Sequence, residues 1–105
     1  MSLRDRIRAA ADLAPRPLDV PEWGVTVFVR RLTLDERLSL VPLAKDVRTA
    51  TVRTVMAGTL DAEGLPVFAA DDEGWLCSEK DGGVLERIAT AILGDAPTVE
   101  ALEKN

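Results

Sequence analysis

At 105 residues, 47% apolar and 30% charged, the chain is long enough for one soluble domain and too short for two, and with two Trp, two Phe and no Tyr its core must be largely aliphatic. Histidine is absent and Cys77 is the sole cysteine, which excludes Ser-His and Cys-His nucleophile pairs, His-containing zinc sites, a four-cysteine metal cage and an internal disulfide, and makes a reducing cytoplasm the expected compartment. The net charge of −5 is unevenly spread, at +2 over residues 1–31, +1 over 32–58 and −8 over 59–105, so the acidic C-terminal half argues against a nucleic-acid partner, and no stretch is apolar enough for a membrane span or signal peptide.

The first expected element is a helix in MSLRDRIRAAADLA, capped by Ser2, with Leu3, Ile7, Ala10 and Ala14 at helical spacing and an end before Pro15. Arg4, Arg6 and Arg8 read as a solvated face paired with Asp5 and Asp12 rather than as a basic arm. Leu18–Val20, the turn Pro21-Glu22-Trp23-Gly24 and Val25–Arg30 then predict a β-hairpin, with Val25, Val27 and Val29 on one face and Phe28 on the other. Trp23 at the turn is expected to fold back over the edge of the core, with a role as partner anchor the less favoured alternative.

Thr33-Leu34-Asp35-Glu36 has the form of a capping box, after which Leu34, Leu38 and Val41 face one way until Pro42 interrupts. Residues 43–57 are ambiguous between helix and strand, and the expectation is a helix that gives way to a strand near Val55–Leu60. A turn at Asp61–Gly64 leads to a returning strand, Leu65–Phe68, which Pro66 would keep at a sheet edge. The cluster Asp71, Asp72 and Glu73 lacks calcium-loop spacing and reads as a helix start carrying Trp75 and Leu76, with Cys77 as a small core residue. The clearest helix spans residues 81–94, capped by Asp81, striped with Val84, Leu85, Ile88, Ala89 and Ile92, and closed by Gly94. A short amphipathic stretch follows Pro97, with Val99 and Leu102 to one side of Glu100 and Glu103; it either docks on the domain or is completed by another chain.

These pieces predict an α+β fold over residues 1–105, a short antiparallel sheet of one or two hairpins packed against three to five helices, with a mobile C-terminal segment at 96–105. No cofactor and no metal site is expected, and no catalytic pairing of acid and base is recognisable.

The run DVPEWGVTVFVRRLTLDER, followed by AGTLDAEGLPVF, an acidic helix and a terminal VEALEKN, resembles the small tail assembly chaperones of long-tailed phages and prophages. The likeness rests on the VPEWG turn, the strand ending in Arg30-Arg31-Leu32-Thr33, the D-x-E-G-x-P-x-F turn and strand, and the closing Glu103-Lys104-Asn105. It implies a non-enzymatic protein, encoded just before the tape measure protein, that keeps that long helical client soluble in the host cytoplasm while tail tube subunits assemble, and is absent from the mature virion. The partners it implies are the tape measure protein and, secondarily, the tail tube protein, and self-association is left open. The sequence pattern nominates Trp75, Leu76, Val99 and Leu102 as client contacts. The alternative is a structural tail-completion or head-tail joining protein retained in the virion.

Overall fold

A computed structural model describes residues 2–43 and 45–94, with the side chain of Leu43 left out. The expected mobile segment 96–105, including Val99 and Leu102, lies outside the described residues.

The elements follow in the order α1 (Leu3–Ala9), β1 (Arg16–Val20), β2 (Val25–Val29), α2 (Leu34–Leu40), α3 (Val47–Gly58), β3 (Thr59–Leu60), α4 (Glu73–Glu79) and α5 (Gly82–Leu93). The fold is α+β: among the described residues there are five α-helices and one antiparallel sheet in the order β1-β2-β3. In the hairpin Arg16 pairs with Val29 and Val20 with Val25, while Asp19 opposite Thr26 accepts its hydroxyl proton at 2.8 Å. The one-residue alternation turns Val27 and Val29 into the core, with Phe28 half-buried on the other face. Val25, on the same face as Val27 and Val29, sits at the end of the hairpin and is 49% exposed.

The capping box forms as expected: Thr33 Oγ1 accepts the Glu36 N–H at 3.2 Å and Glu36 Oε1 accepts the Thr33 N–H at 2.9 Å. The same carboxylate receives a fork from Arg30 at 2.8 and 2.7 Å, and Arg30 also donates to the carbonyl of Ala57, so one arginine ties β2, α2 and the end of α3 together. Arg30 and the cap amide hold the Glu36 carboxyl at about 2, down from its ordinary 4.5. A carboxyl lowered on folding stabilises the fold above its unfolded value and ceases to do so as pH falls through the folded one. The stability gap between wild type and Glu36→Gln is therefore expected to be full above about pH 4.5 and to close toward pH 2. Urea denaturation of both proteins across that window checks it; a gap independent of pH would show that the charge on Glu36 contributes nothing.

Three sequence expectations are corrected. α1 ends at Ala9 rather than near Ala14, buries no residue and leaves Ile7 66% exposed, so without a packed face only its cap and propensity hold it. α3 continues to Gly58, and strand begins only at Thr59, because burial of the β-branched Val52 and Val55 against the core overrides their local preference for strand. The returning arm Leu65–Phe68 is no strand: one bridge joins Leu60 to Pro66, whose missing N–H prevents a ladder, and Val67 donates to Thr59 O at 3.2 Å. The turn before it is firm, since Asp61 Oδ1 accepts the N–H groups of Glu63 and Leu65 and Gly64 takes a φ of 81°. Leu34, Leu38 and Val41 share one face of the α2 region, as expected, and that face is turned to solvent.

The core lies between the sheet and α3, α4 and α5. Val20, Val27, Val29, Val52, Val55, Leu76, Val84, Leu85, Ile88 and Ile92 all belong to it, and α5 supplies the predicted stripe in full. At about 1.5–3 kcal/mol per fully buried large aliphatic side chain, this cluster is the main stabilising term. α3 and α5 meet closely because Gly58 presents no side chain: a Cβ there would stand 2.6 Å from Ile92 Cγ2.

Candidate functional site

α4 and the hairpin turn border an open apolar cleft of about 280 Å³. Its walls are Trp23, Val25, Phe68 and Trp75, with Val27 and Leu76 from the core, Val67 from the returning arm, and Lys80 at the end of α4. Three of the chain's four aromatic residues thus converge, Trp23 from a segment more than 40 positions before Phe68 and Trp75.

Each ring is positioned by local chemistry. Pro21–Trp23 form a single 3-10 turn closed by Gly24, whose N–H donates to Pro21 O at 3.1 Å with a φ of 66°. Next to Trp23, Glu22 accepts a bidentate fork from Arg87 of α5 at 2.7 and 2.8 Å, which anchors the hairpin turn to the helical layer. Those Arg87 bonds are the chief reason the Glu22 carboxyl is lowered to about 2. Trp75 donates its indole N–H to Asp72 Oδ1 at 2.9 Å, while Asp72 Oδ2 accepts the Ala69 N–H at 2.8 Å. The Ala69 amide first, and the indole second, hold the Asp72 carboxyl below its ordinary range. Phe68 meets Trp75 edge-on, with centroids 6.1 Å apart and planes at 61°. The Lys80 ammonium lies 5.9 Å from the Trp23 centroid and 6.0 Å from that of Trp75, bridging the two rings as a cation over aromatic faces.

The acidic cluster is absorbed by structure. Asp72 anchors Trp75 and the turn at Ala69, and Glu73 accepts from Arg53 of α3 at 3.1 Å. Among the described residues no group of three His, Cys, Asp or Glu side chains could hold a metal ion, and no described helix is long and apolar enough to cross a membrane. Among the described residues Lys80 is the one titratable side chain lining the cleft, so the arrangement suits burial of apolar side chains rather than acid–base chemistry.

Of the residues nominated from sequence, Trp75 is half-buried on the cleft wall and Leu76 is fully buried, so Leu76 supports the floor from within the core. Val99 and Leu102 fall outside the described residues. Sequence reasoning missed Phe68, Val67 and Lys80. The usable signal was the scarcity of aromatics, which makes the convergence of three rings a costly arrangement for a chain with so few.

No protein-family model matches the chain, and no curated protein matches it. In three dimensions the fold is similar to that of a solved phage tail assembly chaperone. The solved structure of the bacteriophage HK97 tail assembly chaperone aligns with a TM-score of 0.66, covering 88% of this chain and 96% of that one at 23% identity. The resemblance read from the VPEWG turn and its neighbouring segments therefore holds at the level of the fold.

Proposed function

We propose that this protein is a phage or prophage tail assembly chaperone that acts in the host cytoplasm, binds the tape measure protein and keeps it soluble until tail tube subunits surround it. The observation that carries this reading is an open aromatic and aliphatic cleft, lined at one end by Lys80, on a fold shared with a tail assembly chaperone. Holding an aggregation-prone client needs exposed apolar surface on a stable and well-charged domain, and no reactive group. The net charge of −5 keeps many copies apart in solution while they coat one client.

Trp75 leads the proposed client contacts, with Trp23, Phe68 and Val67 beside it. A chaperone leaves before the particle is finished, whereas a tail-completion or joining protein stays. Mass spectrometry of purified particles from the phage or prophage that encodes this chain is expected to find the tail tube and tape measure proteins and not this one. Its recovery at a fixed copy number per particle would overturn the chaperone reading in favour of a structural one.

A further inference from the structure

A second exposed surface lies away from the cleft. Leu34, Leu38 and Val41 form a solvent-facing stripe on the α2 region, with exposures of 69, 55 and 63%. Arg37, on the flank of that stripe, reaches the end of α5 and donates to Leu93 O at 3.0 Å. Arg16 donates to Ala91 O, and the guanidinium of Arg31 lies over Gly94, where a Cβ would overlap it. Three arginines therefore surround the carbonyl end of α5, where the helix dipole is negative, and the chain leaves Gly94 among them beside the apolar stripe.

The segment that continues from this point has matching chemistry. Residues 95–105 carry Asp95, Glu100 and Glu103 against the single Lys104, and Val99 and Leu102 are three positions apart, the spacing that shares one face of a helical turn. From Gly94 to Val99 an extended chain reaches up to about 17 Å, while α2, with seven residues, is about 10 Å long. A segment tethered this closely meets the stripe at an effective concentration on the order of millimolar, an advantage no free partner has.

We propose that residues 95–105 dock in cis on the exposed face of α2, with Val99 and Leu102 against Leu34, Leu38 and Val41 and the acidic side chains toward the Arg16, Arg31 and Arg37 cluster. This contact is independent of the client and gives Val99 and Leu102 an intramolecular partner. The tail covers a surface that would otherwise draw a second copy.

The test is methyl NMR on the full chain. Nuclear Overhauser contacts are expected from Val99 and Leu102 to Leu34, Leu38 and Val41, persisting on dilution and absent between labelled and unlabelled chains in a mixed sample. Leu38→Asp is expected to abolish them and return the tail methyls to random-coil positions. Leu38 is exposed, so the Ile88 and Ile92 methyls should not move and report an intact core. Raised salt should weaken the contacts by screening the arginine cluster. Random-coil tail methyls in the wild-type protein, contacts seen only between chains, or contacts to the Trp75 cleft would each overturn the proposal.

Discussion

Replacing Gly58 with alanine is expected to destabilise the domain, although alanine is the better helix former by about 1 kcal/mol. The added Cβ would stand 2.6 to 2.7 Å from three carbons of Ile92, a side chain with no solvent exposure and so no direction in which to retreat. Overpacking of this kind costs about 1–3 kcal/mol and outweighs the gain in propensity. Ile92→Ala alone is expected to cost about 2–5 kcal/mol through lost burial and the cavity left behind. The decisive case is the double variant, in which the alanine at 58 enters the space vacated at 92. It should be less destabilised than the two single losses added together, with a coupling of about 0.5–3 kcal/mol. Urea midpoints of the four proteins measure this, and strict additivity would mean that α3 and α5 do not meet through this contact.

The second large effect concerns the cleft. Trp75→Ala removes a ring that packs against Phe68, lies beneath Lys80 and forms part of the cleft wall. Truncation of a central aromatic anchor costs about 2 kcal/mol or more, so affinity for the proposed tape measure client should fall by about 30-fold or more. Because Trp75 also touches the core, Val67→Asp serves as a companion: Val67 is 43% exposed on an irregular segment, and a charge there should weaken binding without unfolding the domain. Co-purification of the client with each variant, normalised to wild type and accompanied by thermal denaturation, separates lost binding from lost fold. Full retention of the client by a folded Val67→Asp protein would remove the cleft from the account.

Local signals in the sequence were legible where a few neighbouring residues determine the outcome. The Thr33–Glu36 box, the PEWG turn and the Asp81-to-Gly94 helix depend on caps, turn residues and one period, and all three stand in the structure. Where distant segments decide, the sequence was silent. The 3.6-residue period at Leu34, Leu38 and Val41 marks an apolar face but not what lies opposite it. The Thr- and Val-rich run through residue 58 is helical because Val52 and Val55 are buried against other elements, a tertiary effect that local propensity does not contain. The cleft was only partly legible for the same reason: Trp75 stood out as a large side chain beside an acidic helix start, yet its partners Trp23 and Phe68 come from a turn and an irregular arm. Adjacent residues on a helix also differ by about 100°, which separates the half-exposed Trp75 from the fully buried Leu76.

The central claim is that this domain shields apolar segments of a long helical client through its aromatic cleft. The most direct measurement is the soluble fraction of the proposed client, the tape measure protein, expressed alone, with the wild-type chain and with Val67→Asp. A client that is insoluble alone, soluble with the wild type and again insoluble with the variant is the predicted result. A client whose solubility is the same in all three would contradict it.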